Sequence, residues 1–270
     1  VVVDDCSDLQ ETVDLLLQWE KLAHVKVLRM ASRSGIAAAL NAGWKHCCGA
    51  YIARLDGDDV AHPRRLQHQL SFLTAHPSIS VLGGAFSTFK ASEELSRPQD
   101  MLSTRWYRMP SHPVLTRWHM LFSCSLAHPT VVFRRAAFKE APYPLDEEAE
   151  DHCCWLSLPL SHHIANTGDL VTYIRRHPQS RTATAAAAIR SSSYRAVVRF
   201  LLVHCDVQAT EADIAVLWGA AEVQTADQAQ QMSKLLQAAE DLFCKMLSSS
   251  SSNSPWGDLH DEQFLASRMA

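Results

Sequence analysis

Short apolar runs alternate with amphipathic stretches through the first 80 residues, and this alternation constrains the fold more than any other feature. Val1-Val2-Val3, Val25-Lys26-Val27-Leu28 and Tyr51-Ile52-Ala53-Arg54-Leu55 read as strands. Between the first two, Leu9, Val13, Leu16 and Leu17 recur at helical spacing, with Ser7 or Asp8 placed to cap the start. A second helix runs from Ser34 or Gly35 through Leu40 and Trp44 and ends at Gly49. Pro63 opens a third, striped by Leu66, Leu70 and Leu73. Repeated strand–helix units predict a doubly wound α/β domain with a mostly parallel sheet. Ser80-Val81-Leu82, Thr130-Val131-Val132-Phe133 and Val171-Thr172-Tyr173 read as further strands.

The rest of the chain is less regular. Phe86 to Ala127, rich in Ser, Arg, Trp and Pro, suits a helical insertion or a mobile loop beside a site. An acidic run, Asp146-Glu147-Glu148-Ala149-Glu150-Asp151, leads into a short helix through Trp155 that Pro159 stops. Beyond Thr182 the sequence turns Ala- and Gln-rich and helical, which sets expected boundaries of 1–182 for the α/β domain and 183–247 for a helical extension. A Ser-rich tail, 248–270, follows.

Composition narrows the function classes. Lys plus Arg is 25 against 29 Asp plus Glu, a net charge of −4, so no bulk basic charge grips nucleic acid. No apolar run reaches the roughly 18 residues of a membrane span. The eight cysteines include no C-x-x-C pair and read as buried or free thiols, which favours a reducing compartment such as the cytoplasm. The chain opens at Val1 with no Met and no signal peptide, so it reads as part of a longer protein, and a membrane tether could lie in a segment outside it. Localisation is therefore not fixed.

Three acidic clusters fall at strand ends or helix starts: Asp4-Asp5, Asp56-Gly57-Asp58-Asp59 and Glu150-Asp151. In open α/β sheets that edge binds ligands. Carboxylates brought together repel one another unless a cation lies between them, and all-oxygen ligands suit Mg²⁺ or Mn²⁺ rather than zinc.

These blocks together resemble glycosyltransferase family 2. The resemblance is carried by Val-Val-Val-Asp-Asp-Cys-Ser-Asp at 1–8, Arg33-Ser34-Gly35 with the following helix, and Leu55-Asp56-Gly57-Asp58-Asp59 with His62-Pro63-Arg64-Arg65-Leu66. His128-Pro129-Thr130-Val131-Val132-Phe133-Arg134 and Ala149-Glu150-Asp151 complete it. It implies the GT-A fold, Rossmann-like, and inverting transfer of a sugar from a nucleotide-diphosphate donor, a UDP-sugar, to a hydroxyl of a glycan or other acceptor. It also implies that the family's first strand and helix lie upstream of Val1. By the same resemblance, Asp4 or Asp5 contacts uracil or ribose, Arg33 lies beside the base and Asp56 holds the ribose. Asp58 ligates Mn²⁺ or Mg²⁺, Asp59 caps the following turn, and His177 stands where family members place a basic side chain near the metal-bound diphosphate. Asp151 is the general base and Glu150 supports it. Cys6 replaces the glycine usual after the double aspartate, which asks more of the turn's backbone.

Two other classes fit the same residues. A nucleotide-sugar-binding or interaction protein without turnover needs no base at Asp151. A nucleotidyltransferase shares acidic metal sites, but usually carries a Gly-rich basic loop after its first strand, unseen here.

Overall fold

A computed structural model describes residues 1–90 and 105–249. Part of the irregular 86–127 segment and nearly all of the expected Ser-rich tail lie outside the described residues. The elements in chain order are β1 (Val2–Asp4), α1 (Gln10–Glu20), β2 (Val27–Arg29), α2 (Ile36–His46), β3 (Tyr51–Ala53), β4 (Val60–Ala61), α3 (Arg65–Ala75) and β5 (Ile79–Lys90). After them come α4 (Pro113–His119), β6 (Val132–Arg134), α5 (Glu150–Ser157), β7 (His163–Arg176), α6 (Arg181–Thr184), α7 (Ala186–Cys205), α8 (Glu211–Leu217) and α9 (Ala226–Ser249).

β1 and β2 pair in parallel as a two-stranded sheet, with Val3 opposite Leu28. The other described strands form a second sheet in the order β3-β6-β5-β7-β4. The α/β class stands, with one correction of detail: this sheet is mixed rather than mostly parallel. Only its β5–β7 pairing is parallel, while β6 runs antiparallel to both β3 and β5, and β4 antiparallel to β7. The early strands are not each other's neighbours in the larger sheet, because β3 takes β6 as its partner from about 80 residues downstream, Ile52 opposite Phe133.

β5 and β7 are much longer than the apolar triplets at 80–82 and 171–173 suggest. Gly83 and Gly84 interrupt the apolar pattern of β5, yet they are what lets β7 approach. A Cβ on Gly83 would fall 2.2 Å from Asn166 Oδ1, and one on Gly84 would fall 2.7 Å from a Val171 methyl. The strand shifts register at this point, between Gly84 and Phe86, as glycines inside strands often mark. α3 starts at Arg65, two residues after Pro63, which instead sits in the preceding turn.

Helices pack on this sheet through two buried clusters, the smaller of which sets Leu73 of α3 against Ile79, Leu82, Val132 and Ala165. Trp155, Val81, Leu126, Phe133 and Ile164 form one buried cluster with Val197 and Leu201 of α7, Ile214 of α8 and Leu235 and Leu242 of α9. The C-terminal helices therefore share a core with the sheet, and each fully buried Leu or Phe in it contributes about 1.5–3 kcal/mol. A polar strap joins the helices to the acidic run. Glu147, buried, accepts from Arg195 Nη2 at 2.8 Å, Arg199 Nη1 at 2.8 Å and Ser192 Oγ at 2.8 Å, all on α7. Burial works to raise the Glu147 pKa, but these bonds outweigh it and hold the carboxyl below its ordinary value. All eight cysteines are free.

Candidate functional site

The aspartate loop after β3 is fixed from two sides, by α3 and by β7. Arg65, buried at the start of α3, donates through Nη2 to the Arg54 carbonyl at 2.7 Å and the Val131 carbonyl at 3.2 Å. Its Nε bonds Gln69, whose amide reaches the carbonyls of Thr130 at 2.8 Å and Leu82 at 3.3 Å. A buried Arg–Gln pair thus ties together the carbonyls of Arg54, Val131, Thr130 and Leu82, which come from the end of β3, the approach to β6 and the body of β5. From across the sheet, Arg175 of β7 donates its backbone N–H to Asp59 Oδ1 at 2.8 Å and its Nε to the Asp58 carbonyl at 3.0 Å.

Asp56, Asp58 and Asp59 converge on this loop, each offering an oxygen within 4.8 Å of the others. Asp56 is gripped by both terminal nitrogens of Arg54, Nη1 to Oδ2 at 2.7 Å and Nη2 to Oδ1. Asp58 extends toward solvent, and its Oδ2 lies 3.1 Å from His177 Nε2 just past the end of β7. Asp59 does not act as the turn cap that the resemblance implies. It reaches across to β7, and its Oδ2 is buried without a hydrogen-bond partner among the described residues. Burial, with the neighbouring charges of Asp56 and Asp58 adding to it against the Arg175 N–H, pushes the Asp59 carboxyl up to about 7. Burial likewise raises Asp56 despite Arg54. Crowded carboxylates with an unpartnered buried oxygen fit a hard divalent cation.

The second acidic cluster heads α5. Its four-residue neighbour α6 presents Arg181, which donates to Glu150 Oε2 at 2.7 Å and to the carbonyl and Oε2 of Glu148 at 2.7 and 2.6 Å. His128 lies against the other Glu150 oxygen at 3.7 Å and shares a 3.0 Å hydrogen bond with the Tyr143 hydroxyl. Burial holds His128 well below its ordinary pKa, so this histidine is neutral at pH 7. Glu147, Glu148 and Glu150 are thus all committed to arginines. Asp151 is different: it is half-buried, and its described hydrogen bond is Oδ1 accepting the His152 N–H at 2.7 Å. Burial raises its pKa, opposed by the nearby positive charges of Arg54 and Arg181. Glu150 is raised too, by burial and the adjacent Asp151.

Asp4 ends β1 of the smaller sheet, Asp5 and Arg33 lie in the loops after β1 and β2, and their described bonds stay among these segments. Asp4, buried, accepts from the Ser7 N–H at 3.1 Å and Arg29 Nε at 3.0 Å; burial raises its pKa, but these bonds lower it further. Asp5 accepts the backbone N–H groups of Ser34 and Gly35 at 2.8 and 2.9 Å, at the head of α2. Arg33 pairs with exposed Asp8 at 2.9 Å. Between them Cys6 takes φ = 61°, the left-handed conformation that the glycine usual at this place adopts freely. The structure therefore joins Asp56, Asp58, Asp59 and His177 directly, while the described bonds of Asp4, Asp5 and Arg33 stay within the segments that follow β1 and β2.

Sequence reading passed over Arg54, Arg175 and Arg181. Arg54 carried a signal, a charge inside an otherwise apolar strand run ending at the acids. Arg181 carried none, since only the packing of α6 beside α5 brings it to Glu150.

The mixed sheet, the flanking helices and the acids at its strand ends are those of the GT-A fold. Among solved structures, that of S. aureus TarS in complex with UDP-GlcNAc is similar, with a TM-score of 0.56 at 19% identity, covering 91% of this chain and 73% of that one. The sequence model of Glycosyl transferase family 2 matches residues 1–141, and the chain belongs to that family. Curated relatives include the bifunctional glycosyltransferase pgtA of Dictyostelium discoideum, 29% identical over 215 residues, which are 67% of this chain and 27% of that protein. The amylovoran biosynthesis glycosyltransferase AmsE of Erwinia amylovora is 27% identical over 163 residues, 58% of this chain and 57% of its own length. The chain thus spans about a quarter of the first relative's length and just over half of the second's.

Proposed function

We propose that this glycosyltransferase moves a hexosyl or N-acetylhexosaminyl group from a UDP-sugar to an acceptor hydroxyl with inversion at the anomeric carbon. The observation that carries the reading is the division of labour among the carboxylates. Three of them crowd the loop after β3, and among the described residues Asp151 has no arginine partner while its acidic neighbours Glu147, Glu148 and Glu150 each have one. UDP-GlcNAc in the TarS complex supports a uridine donor. So does a relative from Escherichia coli, 26% identical over 187 residues, whose name gives it as a UDP-Glc β-1,3-glucosyltransferase.

In this reading Asp58, with Asp59 and His177 beside it, would hold Mn²⁺ or Mg²⁺, which would neutralise charge on the diphosphate leaving group. Asp56 accepts from the donor ribose, and Asp5 and Arg33 line the base side. Asp151 takes the proton of the acceptor hydroxyl as its oxygen attacks C1 from the face opposite the departing UDP. Arg181 keeps Glu150 in place, so that Glu150 orients Asp151 and the acceptor.

The test is Asp151→Asn. Transfer should fall by about 10²–10⁴-fold, the usual contribution of a positioned base, while UDP binding stays at the wild-type level. A protein that binds nucleotide sugar without turnover would show no transfer in the wild type and no change on substitution.

A further inference from the structure

Arg54 is the residue of the site that packing explains least. It is 7% exposed, and its Nε is buried with no partner among the described residues. A buried ion pair adds little net stability over an apolar pair of the same shape, and an unsatisfied buried donor costs about 1–3 kcal/mol. The backbone around it is pinned, its N–H to the Val131 carbonyl at 3.0 Å and its own carbonyl to Arg65. Both terminal nitrogens then go to one carboxylate, that of Asp56, two residues on and on the same face of the extended chain. A carboxylate has about four lone-pair sites, and the guanidinium fork uses two of them. The outer two stay open, in a fixed plane.

We propose that Arg54 is a positioning residue for the donor: it presents Asp56 as a rigid, charge-cancelled acceptor for the vicinal hydroxyls of a nucleoside diphosphate, and leaves cation binding to Asp58 and Asp59. This rests on the nucleotide-sugar reading above. Without Arg54, Asp56 becomes a third uncompensated charge beside Asp58 and Asp59, facing a ligand that is itself anionic. The free carboxylate then repels the diphosphate and joins the cation cluster. Arg54 also acts on the second cluster, where its charge opposes the effect of burial on Asp151.

Two affinities should therefore move in opposite directions, which loss of structure cannot produce. The experiment is calorimetry on the whole chain, with Mn²⁺ alone and with UDP at saturating Mn²⁺, for wild type, Arg54→Met, Arg54→Lys and Asp56→Asn, each checked for folding by thermal unfolding. For Arg54→Met, UDP should bind about tenfold more weakly, the worth of a charge-assisted pair, and Mn²⁺ alone about threefold more tightly. Arg54→Lys keeps the charge but not the fork, and should lose about threefold for UDP with Mn²⁺ affinity unchanged. Unaltered UDP affinity in folded Arg54→Met, or weakening of both ligands together, would overturn the proposal while leaving the donor reading intact. Failure of the wild type to bind UDP would overturn both.

Discussion

Asp58 and His177 are 119 residues apart in the chain, and Asp58 Oδ2 lies 3.1 Å from His177 Nε2. The contact is made by the antiparallel pairing of β4 with β7, Val60 opposite Tyr173, which brings the segment after Arg176 back over the aspartate loop. A strand of two residues thus closes one side of the candidate site.

Cys6 holds a left-handed backbone that costs an L-residue roughly 1–2 kcal/mol. Cys6→Gly removes that strain but adds freedom to the unfolded chain, so a net gain of about 0.5–1 kcal/mol is expected. Urea unfolding reads it directly. A loss of stability would mean that the weak thiol contact to the Ala31 carbonyl, at 3.9 Å, matters more than the backbone.

Gly83→Ala should destabilise by about 1–3 kcal/mol, the usual cost of overpacking. Its Cβ would sit 2.2 Å from Asn166 Oδ1, and Asn166 cannot yield freely because its amide already holds the carbonyls of Pro110 and Ser125. Gly57→Ala, where a Cβ meets open space, is the control and should be near neutral. Equal losses at both positions would argue against the close β5–β7 approach.

Glu147 ties the acidic run to α7, and its pKa is lower in the folded chain than in the unfolded one. The stabilisation is therefore fully present above the unfolded value of about 4.5 and is lost as pH falls through the lower folded value. Glu147→Gln should cost about 2 kcal/mol at pH 7 and progressively less in acid. A pH-independent difference between the two proteins would show that the ion pairs contribute nothing.

Asp151 has a pKa above the ordinary 3.8. A base works only when deprotonated, so the acid limb of the rate should rise through that higher value, and the limb should vanish in Asp151→Asn. Arg181→Met removes a positive charge that favours the Asp151 carboxylate, and should move the limb to higher pH. A profile unchanged by both substitutions would assign the base elsewhere.

How much of this was visible beforehand depends on the range of the interaction. The acids at 4–5, 56–59 and 150–151 could be read because each lies next to the apolar run or helix start that positions it, a signal within ten residues. The demand on the turn at Cys6 was legible only through the family resemblance, which puts a glycine at that place. The mixed sheet could not, since the antiparallel place of β6 between β3 and β5 is decided by packing across about 80 residues, and no local period encodes it. β4 is too short to show a period of two, and Gly83-Gly84 broke the pattern of β5 at the place where its partner comes closest. The arginines were missed because charge in a sequence reads as surface. Arg54 and Arg65 are instead buried, each with its bonds directed at a site loop.

The most direct test of the metal-assisted donor site is calorimetric titration of UDP into this chain with and without Mn²⁺, set against Asp58→Asn. The expected result is binding that requires Mn²⁺ and is lost in a folded Asp58→Asn protein. Metal-independent UDP binding that survives Asp58→Asn would overturn it.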